Sequence, residues 1–139
     1  MISSDWFSRF SALLKRPLAS EADVLKLVYS GITQKTYEHV VLRLEIPKDV
    51  IGPETTIRNR LKKSARLNSE ESERLLRIAR VYAVALDLFG SDKKALEWLH
   101  RPARFLPDNP PIAPIDLAVR ESGARLLEDK LRRIAYGMF

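Results

Sequence analysis

The chain has 139 residues, 45% of them apolar, with 24 Lys plus Arg against 18 Asp plus Glu and a net charge of +6, which is the size of one compact domain. With no cysteine and only His39 and His100 as histidines, disulfide frameworks, thiolate catalysis and multi-histidine metal centres are excluded. No apolar run approaches the ~20 residues of a membrane span, and the opening Met1-Ile-Ser-Ser-Asp5 lacks both the basic leader of a secretory signal and the acid-poor composition of a transit peptide, so a soluble cytoplasmic protein is expected.

Residues 5–16 place Trp6, Phe10, Leu13 and Leu14 at helical spacing, and Pro17 stops that helix. Its aromatic face is expected to pack on its own domain or on a second copy; the opposite face lacks the cations of a membrane-surface helix. Ser20 reads as the N-cap of a second helix, with Asp23 as a short substitute for the Glu of a capping box and Gly31 as the stop. Its buried stripe is Val24, Leu27 and Val28. Thr33 caps a third helix with Tyr37, Val40, Val41 and Leu44 inside and Pro47 barring its continuation. His39 stands beside Glu38, far along the chain from any other ligand-type residue, and is given no metal or catalytic role.

Ile46 to Leu61 reads as a short turn of helix, a Gly52-Pro53 break and a new helix from Glu54 or Thr55, a helix-turn-helix-like spacing. In such a motif the first turns of the second helix enter the major groove. Thr55, Thr56, Arg58 and Asn59 are then placed for base edges, Arg60, Lys62, Lys63 and Arg66 for phosphates, and Ile57 and Leu61 for anchoring to the core. Residues 54–80 hold eight bases against four acids, most of the net charge of the chain. Contact with a polyanion and a solvated helix face both account for such a run. The stretch from Pro47 to Ile51 is barely long enough for the helix that should brace the second one, so a degenerate motif, with one of its two helices curtailed, is an open expectation.

Asn68 and Glu71 form a capping-box pattern that opens the longest helix, which Gly90 ends. From Ile78 to Phe89 its only charges are Arg80 and Asp87, which share one polar stripe with Glu73 and Arg77. This is the expected central helix. Ser91 caps a short helix carrying Ala95, Leu96, Trp98 and Leu99 and ending at His100, whose expected partner is its own helix terminus. Five of the eight prolines lie between Pro102 and Pro114, which forbids helix and central strand there and predicts an ordered loop. Pro114 opens a short helix with Ile115, Leu117 and Ala118 inward. Ser122 caps a last one from Gly123 to about Tyr136, with Ala124, Leu127, Leu131 and Ile134 as its inner stripe. Gly137-Met138-Phe139 follows, two large apolar side chains and a carboxylate that either dock on the protein's own core or enter a partner. No strand alternation, phosphate loop, serine elbow or acid/base carboxylate pair is present, so the residues predict an all-α protein without enzymatic activity and without a cofactor.

Thr56-Ile-Arg-Asn-Arg-Leu, Leu67-Asn-Ser-Glu-Glu-Ser-Glu-Arg-Leu-Leu-Arg-Ile-Ala-Arg-Val, Phe89-Gly, Ala95-Leu-Glu-Trp-Leu, Pro114-Ile-Asp-Leu, Gly123-Ala and Leu131-Arg-Arg-Ile-Ala-Tyr-Gly-Met-Phe139 follow one another in a characteristic order and spacing. Over roughly residues 55–139 this chain resembles the Xre/MbcA/ParS antitoxins of bacterial type II toxin–antitoxin pairs. The resemblance implies an N-terminal Xre-like helix-turn-helix region, residues 1–66, that dimerises and binds DNA, and a helical toxin-binding domain, residues 67–139. It implies a cognate RES-domain toxin that consumes NAD or transfers ADP-ribose from it, repression of the shared operon through operator DNA, and a homodimer within a hetero-oligomeric toxin–antitoxin complex. It also implies that the C-terminal end lies at the toxin's NAD pocket, which puts neutralisation on Arg133, Tyr136, Gly137, Met138 and Phe139. Ala113 stands where the family usually has a Thr cap. Two alternatives remain at this stage: a stand-alone helix-turn-helix transcription regulator without a toxin, and a toxin-binding protein that has lost DNA binding.

Overall fold

In a computed structural model that describes residues 5–137, the protein is all-α, with two isolated backbone bridges, Thr33 to Arg66 and Ala103 to Ile112, and no strand among the described residues. The helices are α1 (Asp5–Leu13), α2 (Glu21–Ser30), α3 (Gln34–Leu44), α4 (Glu54–Ser64), α5 (Ser69–Phe89), α6 (Asp92–His100), α7 (Pro114–Ala118) and α8 (Glu121–Ala135).

The predicted central helix is α5, and α1, α2, α3, α6, α7 and α8 all pack on it. Its start is fixed as the sequence suggests: the Asn68 side chain accepts the Glu71 N–H at 2.8 Å while the Glu71 carboxylate accepts the Asn68 N–H at 2.8 Å. Gly90 ends it in the left-handed conformation at φ 68°. Leu75, Ile78, Ala79, Val81, Tyr82, Val84 and Ala85 are all buried. One apolar cluster runs from Phe10 through α5 to Leu131. At ~25 cal/mol per Å² of apolar surface removed from water, this cluster is the main support of the fold.

The polar stripe of α5 is not left to solvent. Arg80 pairs with Glu21 of α2 at 2.9 Å and with Glu128 of α8 at 3.6 Å, and its guanidinium lies 4.7 Å from the ring centroid of Trp6 on α1. Arg9 of α1 reaches Asp87 at 3.3 Å, and Arg77 donates to the Val119 carbonyl at 3.0 Å. Four sequence-distant segments are thus held to α5 through its charged side.

Several local expectations are corrected. The first helix ends at Leu13, where the Ser11 hydroxyl takes up the Leu18 N–H at 3.1 Å and turns the chain. Ser20 occupies the N-cap position of α2 but makes no side-chain cap; Asp23 instead accepts the N–H of Ala19 at 2.8 Å. No helix forms between Pro47 and Ile51. Nucleating a helix costs more than so short a segment returns, and Asp49, at φ 67°, uses its carboxylate to cap Glu54 N–H at 2.8 Å, committing the segment to a turn. His100 does not serve its own helix: its Nε2–H donates to the carbonyl of Leu44, the last residue of α3, at 2.8 Å. The last helix starts at Glu121 with Arg120 at the N-cap, before the predicted Ser122, and Ile134 is 42% exposed and not part of the inner stripe that Ala124, Leu127 and Leu131 form.

The proline-rich loop is closed by paired backbone hydrogen bonds between Ala103 and Ile112, at 3.0 and 2.9 Å. Two glycines mark close approaches. A Cβ at Gly123 would stand 2.1 Å from the Leu117 carbonyl oxygen, so only glycine lets α8 cross the end of α7. A Cβ at Gly31, itself at φ 84°, would stand 2.3 Å from the Leu67 carbonyl oxygen. There the chain between α2 and α3 is strapped to the chain between α4 and α5, Leu67 N–H donating to Ile32 O at 2.8 Å and Gln34 N–H to Ala65 O at 2.9 Å.

Candidate functional site

Two surfaces carry the residues singled out by the sequence. The first is α4. Ile57 and Leu61 are buried and anchor it, which turns Thr55, Thr56, Arg58, Asn59, Lys62 and Lys63 outward. The structure brings these six onto one exposed face but gives the cations unequal freedom. Arg58 pairs with Glu54 one turn earlier at 2.9 Å. Arg60 turns inward and pairs at 2.7 Å with Glu71, whose side chain is 5% exposed. Arg66 folds back to donate to the Gly31 carbonyl at 3.0 Å. Among the described residues, Lys62 and Lys63 form no ion pair. The inward role of Arg60 was illegible in the sequence because its partner, Glu71, already had a purpose as the capping-box acid. The crowding of carboxylates here also acts on Tyr37: burial, then Glu54, Glu71 and Glu38, push its hydroxyl pKa above the ordinary 10.0.

Residues 45–53 separate α3 from α4 without a helix. A helix-turn-helix needs a first helix lying across the backbone to seat the second in the groove. In this chain α4 is seated by the core and by the Arg60–Glu71 pair instead.

The second surface is the end of α8. Leu127 and Leu131 are fully buried, after which the helix runs past the core. Ile134 and Tyr136, 42% and 56% exposed, follow there. Arg133 pairs with Asp129 at 3.1 Å and Arg132 with Glu128 at 3.6 Å, so the last turn presents two cations held by i,i+4 carboxylates beside two apolar side chains. Gly137 adopts φ 74°, its N–H donating to the Ile134 carbonyl at 3.1 Å, and a Cβ there would meet nothing within 4 Å. It is the backbone conformation, and not crowding, that favours glycine at this exit. Arg133, Tyr136 and Gly137 therefore share one exposed tip; Met138 and Phe139 lie outside the described residues. Ile134 belongs to this tip and was missed, because its spacing continues the inner stripe while the core it should face has already ended.

No third chemistry emerges. Among the described residues there is no group of three or more His, Asp or Glu placed to hold a metal ion, and no helix is long and apolar enough to cross a membrane. His39 sits near Lys15 and Arg43; partial burial first, then these two cations, hold its pKa below the ordinary 6.5.

Comparison with known proteins bears on the second surface most. Residues 84–137 match the family described as the Antitoxin Xre/MbcA/ParS C-terminal toxin-binding domain. An Antitoxin Xre of Pseudomonas putida (strain KT2440) is 30% identical over 138 residues, covering 96% of this chain and 84% of the relative. An Antitoxin Xre of Yersinia enterocolitica is 36% identical over 115 residues, 78% of this chain and 76% of the relative. A third Antitoxin Xre, from Photorhabdus laumondii, is 38% identical over 74 residues, 52% of this chain and 48% of the relative.

Proposed function

Because this chain belongs to the Xre/MbcA/ParS antitoxin family, we propose that it neutralises a cognate RES-type, NAD-consuming toxin in the cytoplasm by placing the end of α8 in that toxin's active-site cleft. The observation that carries the reading is the tip itself. An amphipathic helix whose inner stripe is buried to Leu131 leaves Ile134 and Tyr136 uncovered and then turns through a left-handed Gly137. Apolar side chains in that position gain by entering a cleft, and Arg133 beside them offers a cation to its carboxylate or phosphate groups. Met138 and Phe139 follow Gly137 in the sequence. The protein contributes occlusion and no chemistry of its own; catalysis resides in the partner. The resemblance supports a homodimer inside a hetero-oligomeric complex with the toxin.

Truncation tests this. The chain is co-expressed with the protein encoded beside its own gene, and NAD loss is followed with full-length antitoxin and with a form lacking residues 136–139. The truncated form is expected to leave NAD consumption on; full silencing by the truncated form contradicts the proposal.

The exposed face of α4 supports a second activity, repression of the shared operon through contact with operator DNA, with Thr55, Thr56, Arg58, Asn59, Lys62, Lys63 and Arg66 as the surface and Arg60 as its anchor. One specific observation favours the competing reading in which DNA binding has been lost: residues 45–53 contain no bracing helix. The stand-alone regulator is the less supported reading, since the match over residues 84–137 is to a toxin-binding domain.

A further inference from the structure

A groove of about 280 Å³ opens between the end of α5, the outer side of α6 and the proline-rich loop. Phe89, Trp98 and Phe105 line it, each half-buried, with the Phe89 and Trp98 ring centroids 6.3 Å apart. On its rim stand Lys94 and Arg101, both exposed, and Glu97. Among the described residues Lys94, Arg101 and Glu97 take part in no ion pair. The rim therefore carries two cations and one carboxylate, a net positive charge beside an aromatic floor.

The walls are built to persist. Phe89 and Trp98 come from two helices packed on each other, and the loop that carries Phe105 is closed by the Ala103–Ile112 backbone pair. The volume is at the small end of the ~300–1,000 Å³ range of small-molecule sites and accommodates one large side chain. An aromatic pocket gains by burying an apolar side chain, and a net positive rim is complementary to a carboxylate beside it. All six residues fall within the segment matched to the toxin-binding domain.

We infer that this groove is a second docking site for the toxin, taking one large apolar side chain of an acidic surface segment, separate from the α8 tip. The inference rests on the proposal that the chain binds a toxin. The tip blocks the cleft, while the groove adds affinity and orients the approach, since rim charges act mainly on association rate and salt dependence.

The test uses the full chain and the protein encoded beside its gene. With 5-fluorotryptophan in place of both tryptophans, Trp6 and Trp98, the antitoxin gives a ¹⁹F signal for each, assigned with Trp6→Phe. Adding the toxin is expected to shift the Trp98 signal. The double variant Lys94→Glu and Arg101→Glu is expected to weaken the complex about tenfold at low salt, with the difference shrinking as salt is raised. Both side chains are exposed, so the thermal midpoint should stay unchanged; if this variant fails to fold, the wild-type ¹⁹F measurement decides alone. A complex that forms with the Trp98 signal unmoved overturns the groove and leaves the toxin reading intact. If no complex forms with the neighbouring gene product, the toxin reading falls and this inference with it.

Discussion

Gly123 and Gly137 stand at the two ends of α8 and answer different demands. At Gly123 a methyl group would meet the Leu117 carbonyl oxygen at 2.1 Å, a backbone atom that cannot rotate away. Gly123→Ala is therefore expected to cost about 1–3 kcal/mol and to lower the thermal midpoint by about 5 °C or more. At Gly137 a methyl group would meet nothing, and only the positive φ opposes it. Gly137→Ala should cost about 1 kcal/mol locally, barely moving the thermal midpoint, while redirecting the chain as it leaves α8 and weakening silencing of the toxin. Calorimetry on both variants with an NAD assay on the second checks the pair. Equal thermal losses, or full silencing by Gly137→Ala, would contradict the assignment. The motif Gly123-Ala was visible in the sequence, but its reason was not, because the clash is with a residue of another helix.

At the scale of elements, the helices that bury a continuous stripe were legible, and those whose ends depend on neighbours were not. The capping box at Asn68 and Glu71 and the Thr33 cap, accepting Thr36 N–H at 3.3 Å, are local chemistry and stand as read. Asp23 and His100 found other backbone partners than the helix ends assigned to them, and for His100 the partner lies on α3, which no local pattern reveals. The basic face of α4 shows the same limit. Five cations over Arg58 to Arg66 look equivalent in sequence, yet Arg60 is held by Glu71 and Arg66 by Gly31, while Lys62 and Lys63 form no ion pair among the described residues. If α4 lies on DNA, Lys62→Ala with Lys63→Ala should lower the salt-dependence slope of promoter binding by about two. Arg60→Ala should act chiefly on stability by leaving Glu71 buried without its counter-charge. No mobility shift of the promoter at low salt, for antitoxin and complex alike, favours the reading in which the curtailed motif no longer binds DNA.

For the whole molecule, the all-α class and the centrality of α5 followed from periodicity alone, because a helix apolar on most of its circumference has to be surrounded. What periodicity leaves out is how that helix uses its few charges: Arg80 joins Glu21, Glu128 and the Trp6 ring, tying the first helices of the chain to the last. The candidate site was half legible. Arg133, Tyr136 and Gly137 come from the family resemblance, and the structure adds that all three are exposed at one tip; Ile134 was assigned inward, and the groove at Trp98 was unseen because it depends on how two helices and a loop pack, which periodicity does not give. The central claim is that a partner covers the end of α8. Amide hydrogen exchange of residues 132–137, free and in complex with the neighbouring gene product, tests it most directly. The account predicts fast exchange in the free protein, where only the last helical turn holds these amides, and strong protection in the complex. Equal exchange in the two states, with the complex intact, would contradict it.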